Sequence, residues 1–319
     1  MHALLQAIAR AASQPPSGDA RRLFHGRGGV HSGEEAWTLD LFPPVALLTS
    51  HRPATDTELA TVGEALAAHW PALVPGRPLC WVHQCRDGLQ VQTGLMAGAL
   101  PDPHHAVEAD ARFELQLLRG RNHGFFLDMA EGRRWLREHL VTRPGARVLN
   151  LFAYTCAFSV VALQAGAAEV INLDMSPGAL ATGRRNHALN GVEAGARFWA
   201  HDLFASWAKV RRAGPFDLVI VDPPSYQKGS FVATKDWARV LRRLPDLLAP
   251  DGHALLCLNA PELPEAFLRE VLVAEAPALR LLQRLPQSRG FEDVDLDRAL
   301  KALVVQCPAG DGQASPAEV

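Results

Sequence analysis

The residues best suited to chemistry in this chain follow a short apolar run directly. They are an acid, two prolines, a hydroxyl and an aromatic in residues 217–226 (DLVIVDPPSY). Four consecutive apolar residues predict a strand buried on both faces, and the prolines end it because they have no N–H to donate. Asp222 is therefore expected at a carboxyl edge of the sheet, where open α/β folds bind ligands. Beside it, Ser225 and Tyr226 suit a flat nitrogenous substrate, although this motif alone leaves an ordinary proline turn open.

A second pattern upstream has the plan of a nucleotide-binding βαβ unit. Residues 147–152 (RVLNLF) predict a buried strand, a tight loop and helix follow, and residues 170–174 (VINLD) predict a strand that ends in Asp174. An acid at this distance typically accepts hydrogen bonds from ribose hydroxyls. The loop lacks the G-x-G-x-x-G pattern that a pyrophosphate requires, which disfavours a dinucleotide. S-adenosylmethionine, which has a ribose and an adenine but no phosphate, fits the pattern.

Five motifs then occur in an order that resembles a bacterial family of class I methyltransferases. That family modifies bases of large-subunit ribosomal RNA and includes cytosine-C5 and guanine-N7 enzymes. The resemblance spans residues 107–307 and implies S-adenosyl-L-methionine as cofactor and ribosomal RNA as partner. The motifs are residues 124–128 (GFFLD), 149–155 (LNLFAYT), 174–176 (DMS), 186–191 (NHALNG) and 222–226 (DPPSY).

The resemblance and the strand plan together assign a set of cofactor-binding residues. Asp174 is expected to accept from the ribose and Asp202 from the adenine amino group, the alternative for either acid being a local cap. Met129, Ala130 and Cys156 depart from the family, which commonly has Gln, Arg and Gly there. The residues expected to hold the cofactor are Phe125, Phe126, Asp128, Asn150, Phe152, Ala153, Tyr154, Thr155, Asp174, Met175, Asp202 and Asp222.

The methyl acceptor depends on one position after the fifth predicted strand. Cytosine C5 is a poor nucleophile, so C5 enzymes first add a cysteine thiolate to the base. In family C5 enzymes that cysteine lies where Asn259 stands here, while Cys257 falls inside the strand as a buried filler. This favours methylation of a ring nitrogen. The expected catalytic wall, with Asp222 and Asn259 orienting the base and Tyr226 stacking on it, is Asp222, Pro223, Pro224, Tyr226 and Asn259.

Length and element pattern predict the architecture. A chain of 319 residues suggests two domains. We expect an α/β fold with a seven-stranded, Rossmann-like class I methyltransferase sheet and a smaller N-terminal α+β domain. The predicted boundaries are residues 1–119 for the N-terminal domain, 120–307 for the methyltransferase domain and 308–319 for a disordered tail.

Composition limits the cellular context and leaves the substrate open. The sequence has no apolar run long enough to span a membrane, no secretory signal and no C-x-x-C pair among five cysteines, so a cytoplasmic protein without a metal is expected. The net charge of −2 does not indicate nucleic acid, although residues 119–137 and 239–243 are rich in arginine. A methyltransferase of a protein amide or a small molecule, and a cofactor-binding protein without activity, remain alternatives.

Overall fold

A computed structural model describes residues 1–224 and 231–309, and between them the backbone of Tyr226 and Gln227. Contacts divide the chain into two compact units. The first comprises Met1–Glu131, Ala188–Asn190 and Gln287–Ala299. The second comprises Gly132–His187, Gly191–Pro286 and the segment that begins at Leu300.

The first unit is built on a five-stranded sheet with two helices on one face. The strand order is β1-β2-β3-β4-β5, and only β3 and β4 pair in parallel. Strands β6 and β7 form a separate hairpin. These elements are α1 (His2–Ala12), β1 (Arg21–His25), β2 (Trp37–Phe42), β3 (Val45–Ser50), α2 (Asp56–Leu73), β4 (Trp81–Asp87), β5 (Gln90–Ala97), β6 (His105–Glu108) and β7 (Ala111–Glu114).

The remaining elements alternate between helix and strand, as the sequence predicts for a doubly wound sheet. They are α3 (Ala130–Val141), β8 (Arg147–Leu151), α4 (Ala157–Gln164), β9 (Glu169–Asp174), α5 (Pro177–Leu189), β10 (Ala196–Ala200), α6 (Trp207–Ala213), β11 (Phe216–Val221), β12 (Tyr226–Gln227), β13 (Phe231–Val232), α7 (Ala233–Leu241), β14 (Leu248–Leu258), α8 (Glu265–Glu275), β15 (Arg280–Arg284) and β16 (Lys301–Gln306).

The second unit contains a seven-stranded sheet with the order β10-β9-β8-β11-β14-β16-β15. Strands β10, β9, β8, β11 and β14 pair in parallel, whereas β16 is antiparallel to both of its neighbours. The order reverses at β8, so ligands are expected at the carboxyl ends of β8 and its neighbours. The predicted seven-stranded, Rossmann-like sheet is confirmed.

The central strands are apolar because both of their faces are covered. Leu149 and Leu151 of β8, with Val219 and Val221 of β11, are fully buried in the core of the second unit. Continuous apolar runs of this kind are typical of parallel sheets with helices on both faces. Across the described residues, no helix is both long and apolar enough to cross a membrane.

Candidate active site

Two predicted acids lie at the same level along the carboxyl edge of the sheet. In the parallel strands β9, β8, β11 and β14, one residue of each strand is paired with one residue of the next. Asp174, the last residue of β9, and Asp222, the first residue after β11, each come one position after that paired residue. The carboxyl edge therefore brings both acids to the same height. The four level residues are Leu173 of β9, Leu151 of β8, Val221 of β11 and Leu256 of β14.

Asp174 is oriented by backbone donors on both carboxylate oxygens. The amide of Tyr154 donates to Oδ2 and the amide of Ser176 donates to Oδ1, each at 2.8 Å. A carboxylate has about four lone-pair positions, so this one can still accept from a pair of ribose hydroxyls. The cap of α5 is a different group, because Ala179 N donates to Ser176 Oγ at 3.1 Å. The neighbouring Met175 is 47% exposed.

The loop between β8 and α4 is held in an unusual backbone conformation. Phe152, Tyr154 and Cys156 have φ angles of 57°, 47° and 63°, in the left-handed region that residues other than glycine rarely adopt. Each such residue costs about 1–3 kcal/mol and persists only where its surroundings enforce it, most often at a functional site. Buried Asn186 of α5 helps by donating from Nδ2 to Thr155 O at 2.9 Å.

A buried chain of hydrogen bonds supports this loop from below. His187 Nδ1 contacts Gly183 O at 2.7 Å; since a carbonyl can only accept, Nδ1 carries the proton and Nε2 accepts from Ser159 Oγ at 2.8 Å. Asn172 Nδ2 donates to Ser159 Oγ and Asn150 Nδ2 to Asn172 Oδ1, each at 2.9 Å. Burial lowers the pKa of His187, which favours this neutral form. Asn150 is 2% exposed, and its hydrogen bond to Asn172 makes it part of the buried chain that supports the loop.

Cys156, one of the departures from the family, is accommodated by a glycine. Its side chain is fully buried, and a Cβ added to Gly183 of α5 would lie 2.5 Å from Cys156 Sγ. Burial and the nearby Asp174 raise the pKa of the Cys156 thiol well above its usual value. The thiol therefore packs as a small apolar group beneath the loop. Ala153, also buried, belongs to the same small apolar cluster.

Asp202 makes a local turn beside a group of aromatic rings. Its Oδ1 accepts from Phe204 N at 2.8 Å. The ring of Phe204 stacks on Phe231 at 6.5 Å, and Phe231 meets Phe152 edge-on at 5.3 Å. Phe231 is 1% exposed, and the guanidinium of Arg239 lies 3.8 Å from the centroid of the Phe204 ring, so these rings pack against protein groups. The adenine role of Asp202 stays a prediction.

The predicted catalytic wall is partly described. Asp222 and Pro224 are half-buried and Pro223 is buried directly after β11. Asn259 follows β14 and is exposed. Since Val221 is level with Leu256, Asn259 lies two residues beyond the level of Asp222. The side chain of Tyr226, like Ser225, lies outside the described residues.

A buried lysine that the sequence did not indicate holds the backbone after Asn259. Lys301 of β16 is fully buried, and its Nζ donates to Ala260 O at 2.9 Å and to Leu263 O at 2.8 Å. Cys257, two residues before Asn259, is also fully buried, as predicted.

The predicted closing segment belongs to the first unit. Phe125 is buried and stacks on Phe113 with 4.6 Å between ring centroids, while Phe126 is 41% exposed. The carbonyl of Asp128 accepts from Ser288 Oγ, and Met129 is buried. A contact of this segment with the cofactor stays a prediction.

The chemistry of these groups fits a cofactor with a ribose and an adenine. The carboxylates of Asp174 and Asp202 can accept hydrogen bonds from hydroxyl and amino groups. The strained loop after β8 contains no series of glycines that could bind a phosphate. The described residues contain no group of three or more His, Cys, Asp or Glu that could hold a metal. All five cysteines are free thiols.

The sheet order, the acid that ends β9 and the strained loop after β8 define a class I methyltransferase fold. The chain belongs to the family of S-adenosylmethionine-dependent methyltransferases, because a sequence model of the family with that description matches residues 21–306. The predicted class and its cofactor, S-adenosyl-L-methionine, are confirmed.

Two kinds of relative support this assignment. "Ribosomal RNA large subunit methyltransferase I" from Aeromonas hydrophila is 32% identical over 60% of this chain and 49% of its own length, and its counterpart from Shewanella amazonensis is 31% identical over 78% and 63%. The chain thus spans about half of the first of these relatives. A structure described as "SMU.776, a putative methyltransferase complexed with SAH" has a TM-score of 0.76 at 21% identity and covers 96% of this chain and 81% of its own, which shows a shared fold.

Proposed function

We propose that this protein transfers the methyl group of S-adenosylmethionine to a ring nitrogen of a base in large-subunit ribosomal RNA. The RNA substrate is supported by the names of the curated relatives, of which the chain spans only part. The observation that carries the choice of atom is the pair Asn259 and Cys257. An exposed amide stands at the end of β14, and the thiol two residues earlier is fully buried.

The residues of the carboxyl edge divide the work between cofactor and base. S-adenosylmethionine supplies an electrophilic methyl group on a sulfonium. Asp174 holds the ribose hydroxyls, because its two oxygens are already oriented by backbone donors. Asp222 lies at the same level and accepts from the exocyclic or ring N–H groups of the base, while Asn259 contacts the base from further out. Alignment of the nitrogen lone pair with the methyl group supplies most of the rate enhancement.

Transfer to carbon would need a nucleophile that this arrangement does not present. Cys257 lies inside β14, level with Ala302 of β16, and its side chain has no exposed surface. A thiol must reach the base to add to it, and a fully buried side chain inside the strand cannot. A ring nitrogen with its own lone pair needs no such help.

The proposal is tested by binding and transfer measured in sequence. We expect calorimetric titration to show binding of S-adenosylmethionine and S-adenosylhomocysteine but not of NAD. Ribosomal RNA from a strain deleted for this gene should then accept a tritiated methyl group, and nuclease digestion with mass spectrometry should place it on a ring nitrogen. Transfer to a protein or small-molecule extract in place of RNA would contradict the substrate. Binding without transfer to either would indicate a module without activity.

The choice of atom has its own test. Cys257→Ala should retain most of the methyl transfer, and RNA that contains 5-fluorocytosine should form no stable complex with the enzyme. Cys307→Ala, at a half-buried thiol, is the matched control. A covalent complex that disappears in Cys257→Ala alone would establish C5 chemistry instead.

A further inference from the structure

The five-stranded sheet of the first unit has two chemically different faces. Apolar side chains such as Leu39 and Leu48 pack one face against α1 and α2. Because successive residues of a strand point to opposite faces, Thr38, Asp40 and Thr49 lie on the other face. All three are buried although they are polar. Buried polar groups need partners, so hydrogen bonds and ion pairs accompany the packing of apolar residues such as Leu47, which is paired with Asp40.

One arginine on the polar face has a matched counter-charge. Arg22 of β1 forms a bidentate ion pair with Asp40, with Nε to Oδ1 at 2.7 Å and Nη2 to Oδ2 at 2.9 Å. Its Nη1 donates to His25 Nδ1 at 2.9 Å. Asp40 and the more distant Asp128 both act to raise the pKa of Arg22, against the effect of burial. Both carboxylate oxygens of Asp40 are therefore paired with this guanidinium.

Two further arginines are held by carbonyl groups and not, within the described chain, by an ion pair. Arg86 of β4 donates from Nη2 to Arg121 O at 2.7 Å, and Arg121 donates from Nη2 to Gly88 O. Carbonyl groups orient a guanidinium but do not cancel its charge. Among the described residues, neither side chain forms an ion pair with a carboxylate.

A fourth arginine is presented on a tightly packed turn. A Cβ added to Gly26 would lie 1.9 Å from Glu34 O, and one added to Gly28 would lie 2.0 Å from Glu292 O. Only glycine fits at either position, so the turn is fixed, and the exposed Arg27 stands between them. Arg27 also lacks a carboxylate partner in the part of the chain that the structure describes.

The four guanidinium groups act on one imidazole. Burial lowers the pKa of His51, which follows β3, to about 4, and Arg27, Arg86, Arg22 and Arg121 contribute in that order. All four arginines therefore act on this side chain, although they come from three separate stretches of sequence: β1 with its following turn, β4 and the segment after β7. Since guanidinium groups stay charged at neutral pH, the result is concentrated positive charge on a half-buried surface.

We propose that Arg27, Arg86, Arg121 and His51, here called the arginine cluster, bind a phosphate of the RNA backbone. This inference rests on the proposed function and names where the first unit contacts the substrate. The planar guanidinium fork matches two phosphate oxygens, and an anion would relieve the mutual repulsion of the arginines. Backbone contacts of this kind position a nucleic acid without reading its sequence. Base selection is then left to the carboxyl edge of the second unit.

The test measures RNA binding by the full chain, independently of methyl transfer. The probe is a fluorescein-labelled single-stranded RNA of about 20 nucleotides, titrated by anisotropy over a range of KCl concentrations. Arg27→Gln and Arg121→Gln should each weaken binding about 3- to 10-fold at low salt, and each lost phosphate contact should reduce the slope of log affinity against log salt by about 0.7. Arg10→Gln, at an exposed arginine of α1, is the matched control and should change neither quantity.

Thermal unfolding distinguishes a binding role from a structural one. Because the clustered arginines repel each other, Arg27→Gln and Arg121→Gln should leave the melting temperature unchanged or raise it when RNA is absent. Affinity for S-adenosylhomocysteine should stay as in the wild type. Lower RNA affinity with a lower melting temperature would assign these residues a structural role and overturn the proposal.

Two other results would also contradict the arginine cluster as an RNA site. One is equal RNA affinity in all three variants; the other is a loss confined to binding of a polyglutamate peptide, which would make the occupant an acidic protein. The proposed function fails separately. If ribosomal RNA accepts no methyl group but the cluster variants still lose RNA affinity, the arginine cluster is supported as an RNA-binding site. The assignment of ribosomal RNA as the methylated substrate is then contradicted.

Discussion

Asp174 is held by backbone donors on both carboxylate oxygens, which supports its proposed role as acceptor for the cofactor ribose. We predict that Asp174→Ala weakens binding of S-adenosylhomocysteine by about 1–3 kcal/mol, because the ribose hydroxyls lose a charged acceptor. Isothermal titration calorimetry measures this directly. Asp246→Ala, at an exposed acid of the same unit, should bind as the wild type does. Equal affinity in both variants would remove Asp174 from the ribose site.

The strand-end acids could be predicted because a strong local signal places them. An apolar run followed by an acid or by prolines gives both the strand and the edge, as at Asp174 and Asp222. Cys156 shows where such reasoning stops. It stands where the family commonly has glycine, and its partner is Gly183, 27 residues away. Only the packing of α5 against the loop reveals that the two positions complement each other.

The fit between the loop after β8 and α5 gives a prediction at the scale of elements. Alanine inside a helix is normally more stable than glycine by about 0.5–1 kcal/mol. Gly183→Ala should instead destabilise the protein by about 1–3 kcal/mol, because the new Cβ meets Cys156 Sγ. Gly178→Ala in the same helix is the control, since the nearest atom would be 3.9 Å away, and it should not destabilise. Chemical denaturation measures all variants.

A double variant isolates the contact between the two positions. Cys156→Gly removes the thiol and relieves the left-handed backbone of Cys156, so Gly183→Ala should cost much less in that background. A coupling free energy of about 0.5–3 kcal/mol is expected. Additive effects of the two substitutions would show that Gly183 is required for another reason.

The turn after β14 carries Asn259 and is held by Lys301, so it should influence turnover more than cofactor binding. Lys301→Met keeps the volume but leaves the carbonyls of Ala260 and Leu263 without their donor, which costs about 1–3 kcal/mol of stability. We expect kcat for methyl transfer to fall at least 10-fold while the Kd for S-adenosylhomocysteine changes less than 2-fold. The control is Lys235→Met at an exposed lysine. A parallel loss of cofactor affinity would contradict this division of roles.

The elements themselves were largely predictable, whereas the composition of the units was not. Parallel strands can be recognised in a sequence because strands that are buried on both faces consist of continuous apolar residues. Their alternation with helices predicts the seven-stranded sheet. The segment Gln287–Ala299, which has no regular strand or helix, belongs to the first unit although the chain reaches it late. Its attachment depends on side chains such as Phe291, over whose ring Arg22 lies at 4.2 Å. No local pattern encodes a contact over that separation.

For the whole molecule, stability should fall on mild acidification. Four histidines, three of them in the first unit, have a pKa lowered to about 4, and burial is the largest cause in each case. As the pH falls below 6.5, these histidines become protonated in the unfolded chain, whereas in the folded chain they become protonated only near pH 4. The free energy of unfolding therefore decreases as the pH falls through this window, and it levels off below about pH 4. These histidines are His25, His51, His123 and His139.

Urea denaturation at a series of pH values measures this dependence. Each histidine contributes at most about 1.4 kcal/mol per pH unit, and less where solvent screens it. His51→Gln should flatten the profile, whereas His2→Gln, at an exposed histidine, should not. A stability that is constant from pH 6.5 to 4.5 would contradict the assignment.

The distribution of charge explains why a net charge of −2 does not indicate the proposed RNA site. In the arginine-rich stretch of α7, Arg239 pairs with Asp236 at 2.7 Å and Arg242 pairs with Glu275 at 2.8 Å. Two arginines of this stretch are thus paired with carboxylates. Those of the arginine cluster come from distant positions and meet only after folding. Only Arg121 falls in a stretch that is rich in arginine, so the net charge could not indicate the cluster.

The order of strands in the second unit also determines when each strand can pair with its neighbours during synthesis. Strand β16 lies between β14 and β15, yet both of these neighbours leave the ribosome before it does. Until β16 arrives, the nascent chain carries an unpaired apolar edge on β14, the kind of edge that recruits other chains. Growth from residue 258 to residue 306 takes about 2–10 s at bacterial rates of about 5–20 residues per second. For that interval the protein depends on its surroundings, and not on its own sheet, to stay unaggregated.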